Sequence, residues 1–273
     1  MNMIYISKNN VLRFIYFSIV CILITSCDDE IAGCMDDTAC NYDASATEDD
    51  ETCEFDTCLE ITFKHFIEQE EIIFGNDNFY TMDLNTYSVR RILYVLSDIT
   101  LYFDNNNELE LDDFIFVNSD DATTLTHTIN NLPAACTGIR FRLGFSTQDN
   151  IDNAYLDSPN QFHSNMLWPN SNGTNDAFQG GYHYMKLEGK YIDDSLNEYF
   201  YNTHTGPTNA TDYSILYPKF YFSETSSIII KMDVDNWYNK PQYIMSDFGN
   251  GIMSDLIAQN ILQENGLNVF NVE

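Results

Sequence analysis

Apolar and polar residues alternate with period two in this chain, and that alternation restricts its fold more than any other feature. Leu59, Ile61, Phe63 and His65 alternate with Glu60, Thr62 and Lys64; Ile139, Phe141, Leu143 and Phe145 alternate with Arg140, Arg142 and Gly144. Successive side chains on an extended strand point to opposite faces, so such a segment buries one face and wets the other. Residues 92–103 (ILYVLSDITLYF) read as one long strand, or as two with a break at Ser97-Asp98, and residues 228–234 form a further run. Turn-forming clusters separate these runs, among them Pro169-Asn-Ser-Asn-Gly and Thr205-Gly-Pro. The 18 tyrosines and 19 phenylalanines suit pleated surfaces. The expected class is all-β: an antiparallel, Greek-key-like β-sandwich. A helix is predicted only near the C-terminus, from Ser254 to Asn265, where Leu256, Ile257, Ile261 and Leu262 follow helical spacing and Asn265-Gly266 provides a stop.

The first part of the chain obeys different rules. Residues 33–56 read GCMDDTACNYDASATEDDETCEFD, with almost no aliphatic side chain to build a core. A piece of this kind folds only when cross-linked or metal-bound. Cys34, Cys40, Cys53 and Cys58 are candidates for two disulfides, with three pairings open. A four-thiolate zinc site is the rival, and it lacks the two C-x2-C pairs that such sites use. Cys136 stands alone and is expected to be a buried thiol. Asp36, Asp43, Asp49 and Asp50, with Asp37 between them, could gather around calcium, although no EF-hand spacing occurs. A solvated acidic spacer accounts for the same residues.

Ahead of this segment, Lys8 and Arg13 accompany an apolar run from Val11 to Ile24, and Thr25-Ser26 precede Cys27. A small residue before a cysteine fits cleavage followed by lipid attachment at Cys27. The apolar run is shorter than the roughly 20 residues that a spanning helix needs. The expected organisation is a lipoprotein signal peptide over residues 1–26, an acidic cysteine-rich module over 27–58 and a β domain over 59–273. Asp28, Asp29 and Glu30 directly after the cysteine resemble surface-export signals of Bacteroidetes lipoproteins. The expected location is therefore the outer membrane, on its periplasmic or cell-surface side, with lipid as the one membrane contact.

The formal charge of −30 repels nucleic-acid phosphates and excludes that partner class. Common enzyme signatures are missing from the sequence: G-x-S-x-G, a P-loop, H-E-x-x-H and G-x-G-x-x-G. Acids are so frequent that no pair of them singles out a catalytic couple. The five histidines, His65, His127, His163, His183 and His204, discriminate better. Imidazoles converging with few thiolates suit copper, zinc or nickel. His65 lies on the apolar face of its strand, where a structural role competes with a ligand role, and His204 ends a strand before Gly206.

Two resemblances add to this reading. The segment G-C-x-D-x-x-A-C-N-Y resembles a short acidic module that recurs in exported proteins of marine Bacteroidetes. From about Leu59 to Glu273 the chain resembles the MbnP-like family. The resemblance is carried by Leu59-Glu-Ile-Thr-Phe-Lys-His, Arg91-Ile-Leu-Tyr-Val-Leu-Ser-Asp-Ile-Thr-Leu, Gly138-Ile-Arg-Phe-Arg-Leu-Gly, Met166-Leu-Trp, Gly181-Tyr-His-Tyr-Met-Lys-Leu-Glu-Gly, His204-Thr-Gly and Met232-Asp-Val-Asp-Asn-Trp-Tyr. It implies a β-sandwich-like fold and copper binding without turnover. It also implies a tryptophan that a di-haem, peroxidase-like partner oxidises to kynurenine. Trp168 holds the matching M-x-W position, and Trp237 is assigned to packing. His65 and His204 match family-typical histidine positions and are the expected ligands, with His163 as a third. The family's aromatic-rich stretch after M-x-W is replaced here by Pro169-Asn-Ser-Asn-Gly-Thr-Asn-Asp. The alternative function is a surface structural, adhesive or partner-binding module without metal.

Overall fold

A computed structural model describes residues 30–36, 39–53, 57–75, 78–82, 84–104, 106–249 and 251–273. The signal peptide expected over residues 1–26 and the expected lipid site, Cys27, lie outside these residues. Among the described residues no helix is long and apolar enough to cross a membrane. The described residues divide into two compact units: residues 30–36 with 41–53, and residues 39–40 with those from 57 to 273.

In the first unit the short segments Ala32–Gly33 and Glu48–Asp49 pair in parallel, and Cys34 is bonded to Cys53. Asp43 accepts from Ser45, and Asp50 accepts from Thr52, so these carboxylates close their own turns. The second disulfide, Cys40–Cys58, belongs to the other unit. Both bridges form within the expected set of four cysteines, and Cys136 is a buried free thiol.

The second unit is the expected β-sandwich. Its strands used below are β1 (Leu59–Ile67), β2 (Asn85–Phe103), β3 (Cys136–Leu143), β4 (Met185–Ile192), β5 (Glu198–Thr205), β6 (Ser227–Asp233) and β7 (Phe270–Val272). The larger sheet is built on β2, which pairs with β4 on one stretch and with β3 on the other, and β5 flanks β4. The smaller sheet runs β7, β6, β1. The pairings are antiparallel except that β6 and β1 run parallel.

The two sheets close on a core in which Leu59, Ile61, Phe63, Ile230 and Met232 meet Tyr94, Leu96, Phe141 and Leu187. The Phe63 and Tyr94 rings meet edge to face at 6.3 Å. The strand read over residues 92–103 is continuous and extends to 19 residues. Its suspected break survives as a local kink. Asp98 adopts φ of 48°, and the register against β3 shifts between Arg140 and Arg142.

The outer face of β2 is covered as well. Leu93 and Val95 pack there with Phe116, Phe145, Phe162, Met166 and Tyr182. Most of that cover comes from the long connection between β3 and β4, which includes a short helix, α1 (Phe162–Met166). The predicted C-terminal helix is α2 (Leu256–Gly266). It starts two residues later than expected because the Asp255 side chain caps it, accepting from the amides of Ile257 and Ala258. Trp237 is fully buried against Gly266 of this helix, in keeping with a packing role, and its Nε1 has no partner.

Candidate metal centre

The strand pleat decides which histidines can meet. On β5, Tyr201, Thr203 and Thr205 face the core between the sheets; Thr203 bonds the Tyr238 hydroxyl there. His204 therefore faces the outer side of the large sheet. Lys186 is its register partner on β4, and Leu93 is the next across on β2. Glu188, two residues along β4, shares that outer face.

His204 Nε2 and Glu188 Oε1 are 2.9 Å apart. Glu188 Oε2 takes the Arg91 guanidinium at 2.5 Å, and the Lys186 ammonium stands 3.9 Å from Oε1. Burial pushes the Glu188 carboxyl up, but hydrogen bonds from His204 and Arg91 and the guanidinium charge more than reverse this, to about 2. His204 moves down from its ordinary value, because burial outweighs the nearby carboxylate. The pair is therefore a neutral imidazole donating to an ionised carboxylate.

His183 reaches the same place from the end of the long connection. A hairpin-like excursion brings it there: Leu167 bridges Tyr182, and Asn170 bridges Gln179. The Trp168 amide bonds the Gly181 carbonyl at 2.8 Å. Gly181 turns at φ of 86°, and a Cβ there would run into Asn150, so glycine is needed at this crossing. The Met166 carbonyl accepts from both the His183 amide, at 2.6 Å, and His183 Nδ1, at 3.2 Å. His183 is 5% exposed, and its Nε2 is buried with no hydrogen-bond partner. Burial above all, with the Lys186 ammonium nearby, holds this imidazole well below its ordinary range.

The His183 and His204 rings lie 5.0 Å apart and nearly perpendicular, at 87°. Trp168 completes the row. Its ring is 4.8 Å from that of His183, it is 2% exposed, and its Nε1 points to the Ala177 carbonyl at 3.5 Å. Gly206 leaves room for this indole, since a Cβ there would strike its six-membered ring.

The structure thus brings two of the expected residues, His204 and Trp168, to one cluster, with His183 between them. His65 is elsewhere. It continues the inward series Leu59, Ile61, Phe63 on β1 and packs between Phe74, at 5.3 Å, and Tyr94, at 5.7 Å. It is 3% exposed and its Nε2 has no partner, so the satisfied nitrogens expected of a core histidine are not found. The pleat places His65 between the sheets and His204 on the far side of the larger one. His163, on α1, spends Nδ1 on the Tyr182 hydroxyl at 2.9 Å. His183 was visible in the sequence within Gly181-Tyr-His-Tyr, but nothing in its spacing set it above the others; the signal is the Met166-Leu-Trp segment that the hairpin folds back upon it.

Among the described residues no group of three or more His, Cys, Asp or Glu is placed to hold a metal ion. The calcium candidates Asp36, Asp43, Asp49 and Asp50 fall under that statement. The imidazole pair is a smaller donor set, and it fits a soft or borderline ion. Two rings adjoin: Nε2 of His183 is buried with no hydrogen-bond partner, and His204 bonds Glu188 through Nε2, so that Nδ1 is its other donor atom.

The profile of the MbnP family matches residues 56–254. The chain belongs to the MbnP family. The match takes in β1 through α1, β4, β5 and β6, so it includes Trp168, His183 and His204. Among solved structures the chain is similar to MbnP from Methylosinus trichosporium, with 11% identity and a TM-score of 0.45, over 67% of this chain and 77% of that one. No curated protein matches the chain.

Proposed function

We propose that this MbnP-family chain binds copper through His183 and His204, with Trp168 packed on the His183 ring, and that it has no turnover of its own. The observation that carries the reading is the adjoining pair of imidazoles: His183, buried with its Nε2 free of a hydrogen-bond partner, and the half-buried His204, bonded to Glu188 through Nε2. Copper bound there would be held by soft or borderline nitrogen donors. The chain's own residues supply the rest. The Met166 carbonyl and Glu188 hold the two rings in place, and the Trp168 indole shields His183 from water.

In this reading the protein is exported, lipidated at Cys27 and held at the outer membrane, on its periplasmic or cell-surface side. A di-haem, peroxidase-like partner would oxidise Trp168. That indole is next to the imidazole pair, where its oxidised product would join the donor set. Titration of the purified protein with Cu(I) against a competing chelator tests the copper reading. The wild type should hold copper, and the His183→Ala/His204→Ala variant should lose it. Equal affinities would overturn the reading.

A metal-free partner-binding module is the second reading. It is favoured by Leu196, Tyr199 and Phe200, which lie exposed at the edge strand β5 and the turn before it. Absence of copper binding in the folded wild type would favour it.

A further inference from the structure

Two acceptor-only groups flank the imidazole pair, and they act on opposite ring nitrogens. A backbone carbonyl cannot donate, so the His183 nitrogen facing the Met166 carbonyl, Nδ1, must carry the proton. That leaves the lone pair on Nε2, the atom with no partner. A carboxylate bonded to a guanidinium cannot donate either. Glu188 is such a group, its two oxygens divided between Arg91 and His204. The proton on His204 must then sit on Nε2, and its lone pair on Nδ1. A single neutral ring in water exchanges between tautomers; here each ring has one dictated to it.

The strands explain why Glu188 is free to do this. Arg91 is its register partner across β2–β4, with Asp120 3.8 Å beyond the guanidinium. Lys186 donates to the Asn165 carbonyl at 3.1 Å and stays 3.9 Å from Glu188 Oε1. His204, diagonal to Glu188 across β4–β5, thus has the short bond to Oε1. An ion pair that served only to join β2 and β4 would need Arg91 and Glu188 but no imidazole.

We infer that Glu188 is the positioning residue of this site: anchored by Arg91, it holds His204 in the Nε2–H tautomer and so leaves the Nδ1 lone pair for a ligand, on a ring that adjoins His183. This rests on the two-imidazole reading for the identity of the ligand, but the tautomer itself belongs to the metal-free protein. Outer groups that orient a ligating histidine typically contribute about 10- to 100-fold in metal affinity.

The test is long-range 1H–15N correlation on the metal-free, 15N-histidine-labelled full chain, in the wild type and in Glu188→Gln. The wild type should show His204 as Nε2–H alone and His183 as Nδ1–H alone. In Glu188→Gln the amide can donate as well as accept, so His204 should become a tautomer mixture while His183 is unchanged. Cu(I) affinity should then fall about 10- to 100-fold. Nδ1–H on wild-type His204 overturns the inference even if the Gln variant does not fold. An unchanged tautomer in a folded Gln variant overturns it as well. If the wild type gives the expected tautomers but takes up no Cu(I), the copper reading fails and the assignment to Glu188 stands on the ring spectra.

Discussion

His183 and His204 come from unrelated stretches of backbone, one from the end of a long connection and the other from an edge strand, yet their rings adjoin at 5.0 Å and stand almost perpendicular. His183 spends Nδ1 on the Met166 carbonyl and His204 spends Nε2 on Glu188, and Nε2 of His183 is buried without a partner. Burying polar nitrogen without a partner costs free energy, on the order of 1–3 kcal/mol. What sets Nε2 of His183 apart from the orphaned nitrogens of His65 and Trp237 is a second imidazole beside its ring.

Each imidazole should matter more than any group behind it. Loss of either ring, in His183→Ala or His204→Ala, should weaken Cu(I) binding by more than the roughly 10- to 100-fold that an outer partner contributes. His65→Leu and His163→Ala should leave the affinity within about threefold, since neither ring touches the pair. Competition titrations of the four variants check this.

Trp168 depends on the space above Gly206. Gly206→Ala should displace the indole and destabilise the fold by about 1–3 kcal/mol, the usual cost of overpacking. A shift in tryptophan emission with little change in far-UV circular dichroism would report it. With the di-haem partner class and peroxide, mass spectrometry of the Trp168 peptide should show oxidation, and the Trp237 peptide should stay intact because Trp237 packs in the core against Gly266 rather than on the His183 ring.

Stability should fall with acid through His65. Burial lowers this imidazole from 6.5 to about 3. The folded state therefore refuses a proton that the unfolded state accepts below pH 6.5. The contribution is complete above pH 6.5 and is lost progressively as pH falls toward 3, at up to about 1.4 kcal/mol per pH unit. Denaturant midpoints of wild type and His65→Leu should diverge in that window: the difference between them should change with pH at close to one proton's slope and be constant above pH 7.

Reduction should unfold the first unit and, although it also opens Cys40–Cys58, leave the sheets of the second folded. Residues 41–53 contribute almost no apolar core, and Cys34–Cys53 closes that unit. A bridge of this kind contributes about 2–4 kcal/mol. With dithiothreitol, proteolysis should cut within residues 41–53 while the β domain stays resistant.

Much of the sandwich was legible because its strands have one dry face and one wet face. Leu59 to Ile67 displays that alternation directly, and the structure reproduces it residue by residue. Residues 92–103 were ambiguous for a physical reason: β2 is buried on both faces, by the core beneath and the Phe116–Tyr182 cluster above, so its sequence carries no alternation to read. The parallel pairing of β1 with β6 was also hidden, since parallel neighbours leave no turn signature between them. For the site, His204 and Trp168 could be named from local motifs. Their partner could not, because His183 is brought in by an irregular hairpin whose path depends on two glycines and on Asn150 and Asp152. His65 shows the converse: a histidine in a conspicuous motif can be held inside the core by the pleat alone.

The most direct measurement is X-ray absorption at the copper edge on the Cu(I)-loaded wild-type protein. Two imidazole ligands, identified by their outer-shell scattering and absent from His183→Ala/His204→Ala, are the predicted result. A spectrum without histidine scattering, or one unchanged in the double variant, would contradict the account.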